Sequence, residues 1–88
     1  MEKIIEAIPM EDYQVMVTTE SGLQGIFDVK PYLHGPAFHE LKNPAYFNMV
    51  RPVKWGIRWP REQDFSSDTI IYDMQNAQEV NGVNVVSE

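Results

Sequence analysis

Tyr13-Gln14-Val15-Met16-Val17-Thr18, a break at Glu20-Ser21-Gly22, and then Leu23-Gln24-Gly25-Ile26-Phe27-Asp28-Val29 decide the fold of this chain. Tyr13, Val15 and Val17 alternate with Gln14, Met16 and Thr18; Leu23, Gly25, Phe27 and Val29 alternate with Gln24, Ile26 and Asp28. Such period-two alternation marks strands with one buried face, because successive side chains leave a pleated strand on opposite sides. Two such runs joined by a short glycine-containing loop read as a β-hairpin. Upstream, Lys3-Ile4-Ile5-Glu6-Ala7-Ile8 adds a third strand, ended by Pro9, which has no amide to give to a ladder. The amino-terminal third is therefore expected to be a three-stranded meander.

Downstream the signals change. Strand character stops at Lys30-Pro31, and His34-Gly35-Pro36 is loop chemistry. Two short helices are expected next. The first spans 36–42, with Pro36 at its first position and Phe38 and Leu41 on one face. The second is capped by Asn43, starts at Pro44 and carries Tyr46, Phe47 and Val50. Val50–Val53 and Trp55–Trp59 read as another strand pair, with Trp55, Ile57 and Trp59 on one face and Lys54 and Arg58 on the other. Ser66 or Ser67 then caps a helix over 67–75, with Asp68 complementing its dipole and Ile70, Ile71 and Met74 packing inward.

The expected fold is α+β: an antiparallel sheet of about five strands, the meander plus the second strand pair, with two or three short helices on one face. Residues 1–75 form one small domain, and residues 76–88 an extension. In that extension Asn81-Gly82 between apolar strand formers signals a hairpin, against a flexible tail.

Composition bounds the function. Eighty-eight residues with ten aromatics make an ordinary globular chain rather than a disordered one. There is no cysteine, which excludes disulfides, thiolate nucleophiles and zinc-thiolate sites. The opening Met1-Glu2-Lys3-Ile4-Ile5-Glu6 is broken by acids, and no apolar run reaches the length of a signal core or a membrane span, which points to a cytoplasmic protein without a membrane partner. The net charge of −6 is unevenly spread: residues 1–28 carry net −5, residues 29–61 net +5 and residues 62–88 net −6. The overall sign argues against non-specific duplex binding. The central block is either a local basic patch or a set of cations facing acids across the fold or a dimer interface, and the second reading is favoured.

The spacing of several elements resembles a small bacterial family, domain of unknown function 2442. The matching residues are Val15-Met16-Val17, Gly22, Ile26-Phe27-Asp28-Val29-Lys30-Pro31-Tyr32-Leu33, Gly35-Pro36-Ala37-Phe38, Leu41, Phe47-Asn48-Met49-Val50, Ile57-Arg58-Trp59-Pro60, Asp64 and Ile71-Tyr72. The resemblance covers roughly residues 3–74, with the Phe27-Asp28 and Trp59-Pro60 elements as its anchors. Its members stand alone or precede a helix-turn-helix domain, so it implies, by association only, a regulatory or partner-binding role.

Four candidate sites emerge. Arg51, Lys54, Arg58 and Arg61 interleave with Trp55 and Trp59, a pattern that suits single-stranded nucleic acid through stacking and charge, or a protein partner if the tryptophans are exposed. The structural alternative, a hairpin with tryptophans inside and cations in water, is favoured in so acidic a chain. His34 and His39, with Asp28 or Glu40, form the weakest set, because a five-residue spacing matches no helical ligand pair. Ser66-Ser67 lack the glycines of a nucleophile elbow and are explained as a cap, as Asp64 and Asp68 are by the helix dipole. Asp28 is expected to make a turn hydrogen bond to nearby amides. No catalytic motif, metal or cofactor is implied. The expectation is a non-enzymatic module that binds a protein partner or a second copy of itself, with nucleic-acid binding through 51–61 as the alternative.

Overall fold

The computed structural model describes residues 2–86, with side chains through Ala77. Six strands and two α-helices follow one another as β1 (Ile4–Met10), β2 (Gln14–Thr19), β3 (Gln24–Asp28), α1 (Pro44–Phe47), β4 (Arg51–Val53), β5 (Gly56–Arg58), β6 (Asp64–Ser66) and α2 (Ser67–Val86). Short 3₁₀ segments span Lys30–Tyr32 and Pro36–Lys42.

The meander forms as expected, in the order β1-β2-β3 with antiparallel neighbours. β1 runs two residues further than expected, through Pro9 to Met10. The Val29 N–H donates to the Tyr13 carbonyl across β2 and β3 (2.9 Å), so Val15, two residues on, also turns its backbone groups toward β3. Pro9 stands opposite Val15 and therefore faces its missing N–H to the open edge, where a strand tolerates proline. The hairpin closes through Gly22, whose φ of 96° suits a residue without a Cβ.

The single five-stranded sheet is not what forms. The second strand pair gains a third strand, β6, and makes a separate sheet in the order β4-β5-β6. Its strands are three residues long, and β1 shifts register between Ile4 and Glu6 where the two sheets meet. A bulge there ends regular pairing. One backbone bond, Ile4 N–H to the Lys54 carbonyl (3.0 Å), links β1 to the β4–β5 turn.

Phe65 on β6 joins the layers. Its ring packs 5.0 Å from Phe27, 4.9 Å from Tyr32, 4.9 Å from Phe38 and 6.0 Å from Trp59, centroid to centroid. Offset and edge-on aromatic pairs of this kind add roughly 0.5–1.5 kcal/mol each beyond the area they bury. Gly56 lets the second sheet close: a Cβ there would lie 2.1 Å from the Phe65 carbonyl oxygen.

The helices are of three kinds. Residues 36–42 wind as 3₁₀ rather than α, with Leu41 in the core. The Asn43 side chain accepts from Ala45 N–H (3.0 Å) and caps α1, with Pro44 in its first turn. Ser66 is the cap of α2, its Oγ accepting from Thr69 N–H (3.2 Å). α2 is twice the expected length, and it packs against β3, β5 and β6 through the buried Ile70 and Met74. Its backbone runs as helix through Asn81 and Gly82, where the sequence signals a hairpin or a flexible tail; Ser87 and Glu88 lie outside the described residues. An established helix gains one hydrogen bond per added residue, whereas an isolated two-stranded hairpin is marginal in water.

Candidate interaction surface

The two tryptophans part company. Val53 pairs with Gly56, which leaves Lys54 and Trp55 as the whole of the β4–β5 turn. Trp55 is 42 % exposed at that tip, with the Lys54 ammonium 5.2 Å from its ring centroid. Trp59 is fully buried, donates its indole N–H to the Phe47 carbonyl (2.8 Å) and packs on the Phe47 ring. The expected common face of Trp55, Ile57 and Trp59 is thus corrected for Trp55, because pairing with β6 begins at Gly56 and pushes residue 55 into the turn.

The basic residues divide likewise. Arg58 faces Asp64 across β5 and β6 (3.4 Å), and Arg61 pairs with Glu40. Lys30 reaches Asp12 and Asp28 (3.0 Å each), hydrogen bonds that raise its ammonium pKa above the usual lysine value. Cations of the central block thus face acids from both flanking blocks. Arg51 and Lys54 have no carboxylate partner among the described residues.

Asp28 also accepts from Lys30 N–H (3.0 Å), fixing the turn after β3. Tyr46, Gln63 and Glu40 continue the Arg61 pair as a network. The Tyr46 hydroxyl accepts from Arg61 N–H (2.9 Å) and donates to Gln63 (2.6 Å), which donates to Glu40 (2.9 Å). His34 and His39 are exposed. No group of three His, Asp or Glu among the described residues is placed to hold a metal ion. No helix among them is long and apolar enough to cross a membrane.

The surface that sequence reasoning missed lies on the outside of the first sheet. Register puts Ile8, Met16 and Ile26 side by side on β1, β2 and β3. All three point away from the core, since the next row, Pro9-Val15-Phe27, holds the fully buried Val15 and Phe27. Ile8 is 43 % and Ile26 40 % exposed. One side of this band is a polar ladder: Gln24 donates to Thr18 (3.0 Å), which donates to Glu6 (3.0 Å). On the other side stand Met10, 37 % exposed, Gln14 and Asp28. Met10 leads into a cleft of about 510 Å³ lined by Pro9, Glu11, Asp12, Tyr13, Pro44 and Phe47, among others. Asp12 and Tyr13 hold positive φ (62° and 59°), fixed by Lys30 on Asp12 and by the Tyr13 hydroxyl on the Lys42 carbonyl.

A family model, Protein of unknown function (DUF2442), matches residues 4–75. This chain belongs to the DUF2442 family. The matched span holds both sheets and the outer face, and stops within α2. No curated protein and no solved structure matches the chain. Within this DUF2442 domain the anchors Phe27 and Trp59 are core residues, while the exposed apolar band lies on the opposite side of the strands that carry Val15 and Phe27.

Proposed function

We propose that this protein is a non-enzymatic interaction module that binds a protein partner through the outer face of its first sheet. The observation that carries the reading is the contiguous band of the exposed Ile8 and Ile26 with the half-buried Met16 between them, on a chain with a complete core elsewhere. Scattered exposed apolar residues are ordinary; a band of them across three strands is a mark of an interface. The tryptophan-containing hairpin gives the nucleic-acid alternative less support. Stacking needs exposed rings, and of its residues Trp59 is buried while Arg58 and Arg61 are matched by acids.

The test is affinity capture from extract of the native host, with wild type and Ile8→Ser/Ile26→Ser immobilised in parallel. The reading expects a stoichiometric protein on the wild type that the double variant loses and Trp55→Ala retains. Equal capture by wild type and double variant, recovery of nucleic acid alone, or an empty wild-type column would overturn it.

A further inference from the structure

The electrostatics around the band say what kind of partner fits, an inference that rests on the interaction reading above. Glu6 shares the outer face of β1 with Ile8, and Glu11 follows Met10 at the mouth of the cleft. Neither has a cation partner among the described residues. Lys30, which reaches the neighbouring Asp12, is already held by Asp12 and Asp28. The apolar band is therefore bracketed by uncompensated carboxylates, within a segment, residues 1–28, of net charge −5. A second copy stacked on this face would bring the same acids against each other, and like charges at an interface select against that pairing.

We infer that the outer face, from Ile26 across Met16 and Ile8 to Met10 and its cleft, docks an apolar segment of a partner protein flanked by lysine or arginine. The apolar side chains of that segment cover the band. A basic side chain lays its methylene stem along Pro9 and Pro44 and sets its charge beside Glu11. Attraction between the acidic rim and the basic flanks speeds association and makes it sensitive to salt.

The experiment uses the full chain and two fluorescein-labelled 18-residue amphipathic peptides, one with leucine on one face and lysine on the other, the second with glutamate in place of lysine. Anisotropy titrations are expected to give at least tenfold tighter binding of the leucine–lysine peptide. Ile8→Ser/Ile26→Ser, which alters no charge, should weaken that binding about tenfold, and Glu6→Gln/Glu11→Gln should weaken it and flatten its salt dependence. Both double variants alter exposed positions and should melt like wild type, which a thermal scan checks. Equal binding of the two peptides, still lost in the isoleucine variant, would overturn the basic partner and leave the interaction face standing. Lysine-peptide binding indifferent to the isoleucine variant would mean bulk charge attraction and overturn the docking site itself. Self-association of the wild type that the isoleucine variant abolishes would assign the face to a second copy instead.

Discussion

Trp55 and Trp59 sit four residues apart and do opposite things. Trp59 fills the space between Phe47 and Phe65 and satisfies a buried carbonyl, so Trp59→Ala should cost about 3–5 kcal/mol. A chain of this size has roughly 4–13 kcal/mol of stability in total, at about 0.05–0.15 kcal/mol per residue, so urea titration should find the midpoint of the variant well below that of wild type. Trp55→Ala, at an exposed turn, should stay within about 0.5 kcal/mol of wild type. Gly56→Ala should cost about 2–3 kcal/mol, because the new methyl group meets the Phe65 carbonyl and only a backbone shift relieves it; a melt indistinguishable from wild type would refute that close approach. The burial of Trp59 agrees with the favoured reading of the hairpin, whereas the outward place of Trp55 and the closeness at Gly56 were not readable locally. Alternation alone put Trp55 in the strand, whereas its place is set by where Gly56 meets β6, a contact fixed by tertiary packing.

At the scale of elements, α2 is tied to the loop after β3 by the Tyr32 hydroxyl, which donates to Asp73 and whose pKa that bond, with burial, pushes up to about 12. A folded-state value above the unfolded value of about 10 stabilises the fold below pH 10, and that stability is lost as pH rises through 12. Tyr32→Phe should therefore destabilise by about 1 kcal/mol at neutral pH, the scale of a part-exposed hydrogen bond to a charge. The gap between variant and wild type should close between pH 10 and 12 in chemical denaturation; a constant gap would break the assignment. The meander, the Asn43 and Ser66 caps and the start of α2 were legible because each rests on local chemistry: alternation, a capping side chain, a proline. β6 was not, because Asp64-Phe65-Ser66 holds one apolar residue and no period. At Asn81-Gly82 the local turn signal misled, since a helix was already under way. The outer band was half visible: Met16 and Ile26 occupy the polar half of their alternations, a mismatch whose meaning appears only once register sets Ile8 beside them.

Taken as a whole, the molecule sets a completed core behind one apolar face and holds three of its six central cations, Lys30, Arg58 and Arg61, against acids of its own. Glu6 and Glu11, without a cation partner among the described residues, lie beside that face and give it an acidic rim. The most direct test labels the methionine methyl groups and records their NMR signals, with the Trp55 indole N–H as reference, while native-host extract is added to the full-length protein. Met10 and Met16 lie on the outer face; Trp55 stands at the β4–β5 turn of the other sheet. Interaction through the first sheet predicts that the Met10 and Met16 methyls shift or broaden while the Trp55 indole holds its position. A shift at Trp55 with Met10 and Met16 unmoved would contradict it and return the site to the tryptophan-containing hairpin.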